Sequence, residues 1–459
     1  MTTDTKTHSR TTTIIKKLFI IVVIFMLGFV TVLGTRIFIL SNPKANSLSV
    51  LDTARLENIC SLKFARNSMR PLFWDAPTKN IEVAAESAIM INLANGDILF
   101  EKNADEVIPP ASMTKLVVMY VVFEEIAAGK ISMNDIVPLP PESWAQNAPP
   151  NSSIMFLEDG QTVSLRELLL GLAVCSGNDA AIAVAHYVSG SVEAFVERMN
   201  LEMKKLGLEK TNFVEPSGYD EHNLTTAREF TRFARFYVQK YPQALVDFHS
   251  VKKITYPKQE NLASWHKNDG IDRSITQFNT NKALNAIEGV NGLKTGFIYE
   301  SGYNLSTTAQ RNNLQLLTVT LKGKGSNSSE GNRWRIHDAS QMLETAFSSL
   351  QTSNVSSVEA TPIAIAGGKE SAFLLHQAWT TPVTIPYDAN TDTQPALSRT
   401  ISIQPQIKAP IQAGDRIGTV SYTCDSHTIA EIPLVADRTI EKAFFLIRCI
   451  DNIAIQFIK

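Results

Sequence analysis

The sequence predicts an α+β fold over about residues 81–350, then a small all-β domain over about 359–437 and an amphipathic helix over 439–459. Three observations lead there. Strand patterns lie near both ends of the first segment, around a block of helical patterns. A Ser-, Thr- and Asn-rich stretch at 351–358 interrupts the pattern and introduces short alternating segments. Past residue 438 the apolar period becomes that of a helix.

The N-terminal 80 residues divide into three. Residues 1–17 form a polar tail with Lys6, Arg10, Lys16 and Lys17 against one acid, Asp4. Leu18–Gly34 is apolar apart from Thr31, and Ile37–Leu40 follows Thr35 and Arg36. Residues 18–40 are therefore either a retained membrane anchor or a long signal segment, for which Val32-Leu33-Gly34 offers a cleavage site. The basic flank keeps the tail in the cytoplasm, so under either reading everything after Ser41 is exported. A buried core helix fits the position and flank less well. Residues 41–80, with Pro43, Pro71 and Pro77, read as a linker with room for a short helix.

Ala88–Ile91 and Ile98–Phe100 flank Asn95-Gly96, a strong hairpin signal. A helix is expected after Pro109-Pro110, with Leu116, Val117, Met119, Tyr120 and Phe123 as its apolar face. Helical patterns recur at 164–175, 178–188, 191–206, 226–240 and 333–349, and Leu314–Leu321 reads as a strand. In the all-β part the expected strands are Ala378–Ile385, Ile401–Gln406, Arg416–Thr423 and Ala430–Leu434. In the last segment Ile440, Phe444, Ile447, Ile450, Ala454 and Phe457 share one helical face. Glu441, Arg448, Asn452, Gln456 and Lys459 share another. Such a helix either lies in a membrane interface or packs on the β domain or a second chain.

Composition narrows the function. Lys plus Arg number 43 and Asp plus Glu 45, a net charge of −2 with no basic stripe, which argues against nucleic-acid binding. The 4 Cys form no CxxC pair and the 8 His no HExxH, so neither a cysteine zinc site nor a zinc protease is indicated.

Three short motifs carry chemistry. In Ser112-Met113-Thr114-Lys115 the hydroxyl and amine are three residues apart, on one face of a helix start. A neutral Lys can act as base for a Ser nucleophile when burial lowers its pKa. Alone the pattern is weak, because Ser-x-x-Lys recurs at Ser41, Ser250 and Ser264. Ser176-Gly177-Asn178 supplies a hydroxyl relay and an amide that donates and accepts, though both residues also suit a helix N-cap. Lys294-Thr295-Gly296 brings a positive charge and a glycine that admits a close backbone approach, or else forms a turn between two strands. The ordered set is far more specific than its parts. It is the signature of penicillin-binding proteins and class A β-lactamases.

The chain resembles the low-molecular-mass penicillin-binding proteins of the serine D-alanyl-D-alanine carboxypeptidase family. Further likeness lies in Glu101–Asp105, Pro110-Ala111-Ser112, Ser153–Leu157, Ser176–Ala180, Gly292–Gly296 and Gly302–Leu305. It extends through Gly414–Val420, Ile432–Val435 and the terminal Phe444-Phe445 with Asp451 and Ile453. The resemblance implies a penicillin-binding-protein/β-lactamase-like transpeptidase domain that cleaves the terminal D-Ala from peptidoglycan stem pentapeptides. It implies that Ser112 attacks the penultimate D-Ala carbonyl and Lys115 takes its proton. The backbone N–H groups of Ser112 and Phe297 would form the oxyanion hole. Ser176 and Lys294 would deliver a proton to the leaving D-Ala, Asn178 would hold the acyl-side amide, and Gly296 would line the cleft. Thr295, with a cationic partner, would bind the terminal carboxylate. Arg335 is the candidate partner, its other reading being a solvated helix residue. The resemblance further implies acylation by β-lactams, contact with cytoplasmic-membrane lipid through the terminal helix, an extracytoplasmic catalytic domain, and no metal or organic cofactor.

The chain departs from the family in places. Phe297 stands where relatives often carry His, and the family's cleft-side Arg falls near Thr280. Three other functions remain to be weighed: a β-lactamase, an endopeptidase on D-Ala cross-links, and a non-catalytic penicillin sensor. Glu215-Pro216-Ser217-Gly218 lies where a β-lactamase carries its deacylating Glu, but it lacks the Glu-x-x-Leu-Asn pattern.

Overall fold

A computed structural model describes residues 4–64, 69–380, 382–389, 391, 395–424 and 427–458, with side chains from residue 13 onward. Met1–Thr3, the side chains of Asp4, Lys6 and Arg10, and Lys459 lie outside the described residues. The chain divides into two units. One comprises Ser68–Ser353 with Pro382–Pro395. The other comprises Met1–Asn67, Asn354–Thr381 and Ala396–Lys459.

The first unit is built on a six-stranded sheet. Its strands are β1 (Arg70–Pro71), β2 (Ser87–Asn92), β3 (Asp97–Lys102), β4 (Val290–Ile298), β5 (Gly302–Arg311) and β6 (Leu314–Gly323), in the order β1-β3-β2-β6-β5-β4. Only β1 and β3 pair in parallel. The Asn95-Gly96 turn closes the β2–β3 hairpin, with Gly96 at φ 81°. Between β3 and β4 lies the helical block, with helices Lys115–Ala127, Leu165–Leu170, Asn178–Ser189, Val192–Lys205 and Ala227–Lys240. The first of these is buried on nearly all sides, with Leu116, Val117, Val118, Met119, Val121 and Val122 sealed from solvent. A helix apolar all round belongs at the centre of a core, which holds the motif at its N-terminus rigid. Helix Ser328–Ser349 covers β5 and β6. Its buried Asp338 accepts the backbone N–H groups of Ala84 and Ala85 at 2.9 and 2.8 Å.

One stretch of the expected β domain is built into this unit instead. Ala378–Ile385 is not one strand: Ala372–Gln377 and Val383–Pro386 are separate, and the latter pairs antiparallel with Leu350–Ser353. The reason is a buried polar knot. The Thr384 hydroxyl donates to Asp97 at 2.8 Å and accepts from Asn92 and Asn95 at 3.0 and 3.1 Å. Local alternation of apolar residues carries no trace of such partners.

The second unit holds an antiparallel five-stranded sheet in the order Thr361–Ala364, Ala372–Gln377, His427–Ala436, Arg416–Cys424, Ser398–Ile403. The first strand, with its neighbour, was not expected from the sequence. The N-terminal helix runs from Asp4 to Ser41, and a second helix, Val50–Lys63, occupies the expected linker. The Thr13–Ser41 part is long and apolar enough to cross a membrane. The terminal helix is shorter than 439–459, running from Phe445 to Ala454 with a 3-10 turn to Phe457. Ile440 is instead fully buried and bridges Ile411 in extended conformation.

Thr384→Val keeps the shape of the side chain but removes one hydrogen bond from each of three buried polar groups, Asn92, Asn95 and Asp97, while each keeps another partner. It is expected to lower unfolding free energy by roughly 1–3 kcal/mol, read as a lower urea midpoint by tryptophan fluorescence.

Candidate active site

The nucleophile turn is set by its packing. Ala111 adopts φ 52°, a conformation that costs a non-glycine residue energy and is concentrated at functional sites. The chain then makes a 3-10 turn, Ala111–Thr114, and enters the helix at Lys115. Ser112 is half-buried at this mouth, while Lys115 is sealed from solvent.

The Lys115 amine meets three oxygens: Ser112 Oγ at 3.0 Å, Asn178 Oδ1 at 2.7 Å and the Ser217 carbonyl. An ammonium has three N–H donors, so this cage suits the charged form. Burial works against it and pulls the pKa down to about 8, opposed by the negative charges of Glu215 and Asp179 and by Cys175. The amine is thus close to losing a proton near neutral pH.

Ser176 follows a π-turn, Gly171–Cys175, and sits in left-handed backbone at φ 62°, ψ 36°. Its hydroxyl is buried with no hydrogen-bond partner among the described residues. Neither Ser176 nor Asn178 caps the next helix: the N-cap is Gly177, with no side-chain cap bond. The Asn178 amide donates to Ser152 Oγ at 3.1 Å while its oxygen takes Lys115. Asp179 accepts the N–H groups of Met155 and Leu157, which fixes the Ser152–Leu157 segment beside this motif.

Lys294, Thr295 and Gly296 are in strand β4, not in a turn. Burial, then the charges of Lys115 and Arg335, push the Lys294 amine well below its usual pKa. Thr295 donates its hydroxyl hydrogen to Thr280 at 2.8 Å, so the position near which the family carries Arg holds a threonine pair here. A Cβ at Gly296 would lie 2.3 Å from the Pro110 carbonyl oxygen. The close approach that demands glycine therefore comes from the chain's own nucleophile turn. Phe297 stacks on Tyr303 with centroids 4.4 Å apart and is 38% exposed. With Tyr219, Tyr299 and Pro150 it lines a cleft of about 400 Å³, rimmed by Asp220 and Glu300.

Arg335 is not placed as the expected carboxylate partner, nor is it solvated. Its guanidinium is buried against the Tyr303 ring. It donates to the Asn304 carbonyl at 3.0 Å, to Asn332 at 2.9 Å and to the Gly296 carbonyl. Two of its nitrogens hold β4 and β5, and the third bonds Asn332 of its own helix.

Glu215 too has another task than the one weighed for it. Its carboxylate accepts the N–H and hydroxyl of Ser217, the N–H groups of Gly218 and Tyr219, and the Asn223 amide. This folds a loop that presents the Ser217 carbonyl to Lys115. Gly218 packs so tightly on the nucleophile turn that a Cβ would meet the Ala111 oxygen at 1.9 Å. The sequence reading missed Ser152, the Ser217 carbonyl and the Gly218 contact. The Glu-Pro-Ser-Gly run was the available signal, since Pro and Gly around an acid mark a built turn.

Comparisons agree with this architecture. Residues 75–325 match the D-alanyl-D-alanine carboxypeptidase family, and residues 367–442 match the C-terminal domain of penicillin-binding protein 5. The chain is 31% identical over 381 residues to the D-alanyl-D-alanine carboxypeptidase DacC of Escherichia coli, covering 82% of this chain and 89% of that protein. It is 30% identical over 370 residues to DacF of Bacillus subtilis, covering 80% and 89%. Among solved structures it is similar to penicillin-binding protein 5 of Haemophilus influenzae, with TM-score 0.66 and 27% identity over 79% of this chain and 98% of that one. A D-alanyl-D-alanine endopeptidase of Pseudomonas aeruginosa is 29% identical over 257 residues, covering 55% of this chain and 77% of that protein. With a family match across more than half its length and such relatives along four-fifths of it, the chain belongs to the serine D-alanyl-D-alanine carboxypeptidases.

Proposed function

We propose that this protein removes the terminal D-Ala from peptidoglycan stem pentapeptides through an acyl-enzyme on Ser112. The observation that carries the reading is the Lys115 amine, 3.0 Å from Ser112 Oγ and depressed to about 8. A neutral amine gives up one N–H and gains a lone pair. Asn178 and the Ser217 carbonyl can occupy the two N–H groups that remain, leaving the lone pair to the Ser112 proton. Ser112 then attacks the penultimate carbonyl. The N–H groups of Ser112 and Phe297 hold the oxyanion.

The leaving D-Ala amine needs a proton. Ser176, with its uncommitted hydroxyl, passes one from the Lys294 side. Asn178 holds the acyl-side amide and Thr295 the terminal carboxylate. Gly296 acts indirectly, by letting the nucleophile turn close on β4, and Arg335 is a positioning residue that fixes the Gly296 carbonyl. The upstream stem peptide lies in the cleft beside Phe297. β-Lactams acylate Ser112 because they imitate D-Ala-D-Ala. The extra length shared with the carboxypeptidase relatives, which extends past the catalytic unit, favours carboxypeptidase over endopeptidase action. The N-terminal helix anchors the chain in the cytoplasmic membrane, with the catalytic unit outside and the terminal helix touching lipid.

Incubation with a stem pentapeptide and a cross-linked dimer, followed by mass, is expected to release D-Ala from the pentapeptide alone. Fluorescent penicillin is expected to label the wild type and not Ser112→Ala. Labelling of both equally would reject the mechanism.

Because acylation needs neutral Lys115, its rate should rise with pH and level off above a midpoint near 8. Stopped-flow acylation by penicillin across pH reads this directly; a midpoint near 10.5, the ordinary lysine value, would contradict it.

Glu215→Gln is expected to slow penicillin acylation about tenfold, an activation loss of about 1.4 kcal/mol, and to leave release of bound penicillin unchanged. A deacylating base would give the opposite split.

A further inference from the structure

The second unit contains a buried charge that the chemistry of Ser112 does not use. Asp451, in the terminal helix, is fully buried. Its carboxylate is held by Arg36 in a two-pronged pair, Nε to Oδ1 at 2.6 Å and a terminal nitrogen to Oδ2 at 2.7 Å. It also accepts the backbone N–H of Gly367 at 2.8 Å. Arg36 belongs to the N-terminal helix, 415 residues away in sequence. A planar guanidinium facing a carboxylate in this way fixes orientation as well as distance. Loss of Arg36 would leave a carboxylate buried with only one N–H, which is costly.

The position of Arg36 along its helix is informative. From Ile14 to Val32 the N-terminal helix is exposed all round. Its apolar run, Leu18–Gly34, rises about 26 Å, slightly less than the thickness of the hydrocarbon core, about 30 Å. Burial begins at Leu33, and Arg36, Ile37 and Leu40 turn toward protein. The terminal helix therefore meets the N-terminal helix about 3 Å past the apolar run, at the level of the headgroup boundary.

There the terminal helix presents an apolar face of its own. Phe445, Leu446, Cys449, Ile453 and Phe457 are exposed along one side, while Asp451 and Ala454 face inward. The Arg448 guanidinium lies 5.7 Å from the Phe445 ring centroid, adding a cation beside the aromatic edge.

We propose that the Arg36–Asp451 pair clamps the outward end of the N-terminal helix to the terminal helix, so that both form one anchor. The clamp lays the face of Phe445, Leu446, Ile453 and Phe457 on the surface of the bilayer that the N-terminal helix crosses. This rests on the reading of that helix as a retained span. The terminal helix is then a part built onto the span's exit and not an independent, reversible surface contact. The bilayer is its occupant because the exposed span and this face are continuous at Arg36.

Cys449 is a native reporter, since it lies on the exposed face while Cys60, Cys175 and Cys424 are buried. The full chain is reconstituted in vesicles of phosphatidylethanolamine and phosphatidylglycerol and treated with a membrane-impermeant sulfonated maleimide. Wild-type Cys449 should label slowly. Arg36→Asp and Asp451→Arg should each label about tenfold faster, and the double exchange should return to the slow rate, as a direct pair demands. Arg36→Gln should give a smaller acceleration. Penicillin acylation at the wild-type rate in every variant shows that the catalytic unit is intact. Equal labelling in all variants, or no rescue by the exchange, overturns the clamp. Protection that fades as protein is diluted in lipid also overturns it, by making a second copy the cover. If the wild-type chain washes off vesicles at alkaline pH, the span reading fails and the proposal with it, whereas failed rescue in a chain that stays bound removes the clamp alone.

Discussion

A lysine amine taken out of water has to be surrounded by oxygen, and the way this chain surrounds Lys115 organises the catalytic unit. The oxygens come from three separated stretches: Ser112 in its own turn, Asn178 at the start of another helix, and the carbonyl of Ser217 in a loop. None is held by the lysine alone. Asn178 is braced by Ser152, and the Ser217 loop is wound around the Glu215 carboxylate. Moving any of the three changes both the position of the amine and the cost of its charge. Nucleophile geometry and base strength are therefore one property of the fold. Lys294 extends this coupling, because its proton affinity is lowered by Lys115 and Arg335 as well as by burial.

Close backbone packing gives that cage its rigidity. The nucleophile turn is pinched between Gly218 on one side and Gly296 on the other, each too near Ala111 or Pro110 to tolerate a Cβ. Ala111 itself pays for the fit with a left-handed conformation. Behind β4, Arg335 ties the Gly296 and Asn304 carbonyls to helix Ser328–Ser349. The helix that begins at Lys115 is buried on nearly all sides, so the turn cannot relax by sliding into solvent.

What was legible in the sequence follows from the range of the interactions. The helix Asn178–Ser189 and the hairpin around Asn95-Gly96 are set by local period and turn chemistry, and were found nearly to the residue. The three motifs were legible because their residues are near neighbours in the chain, and their order supplied the rest. Arg335 was misjudged because nothing near it in sequence announces that its partners are carbonyls of β4 and β5. Glu215 drew notice for its place in the chain, but its donors lie within its own loop and in Asn223, and only the folded loop shows that they fill it. Val383–Pro386 was assigned to the β part because alternation is all a short strand shows, while Thr384's partners Asn92, Asn95 and Asp97 are far upstream.

The same physical rule governs Lys115, Thr384 and Asp451. Each is a polar group that could not be buried by hydrophobicity, and each is satisfied in good part by residues distant in sequence. Hydrophobic patterning chooses which elements exist and which face is hidden, but with many near-equal ways to stack apolar faces it specifies their register weakly. A buried charge or hydroxyl with fixed partners removes that freedom, since every other register leaves it unpaired. In the catalytic unit the rule determines where Ser112 and its base stand. In the other unit it determines which point of the N-terminal helix meets the terminal helix, and a slip of one residue would turn Arg36 about 100° away from Asp451. Residues that look expendable in a hydropathy profile, an arginine just past an apolar run and an aspartate inside an amphipathic helix, are for this reason the ones that fix the geometry of the anchor.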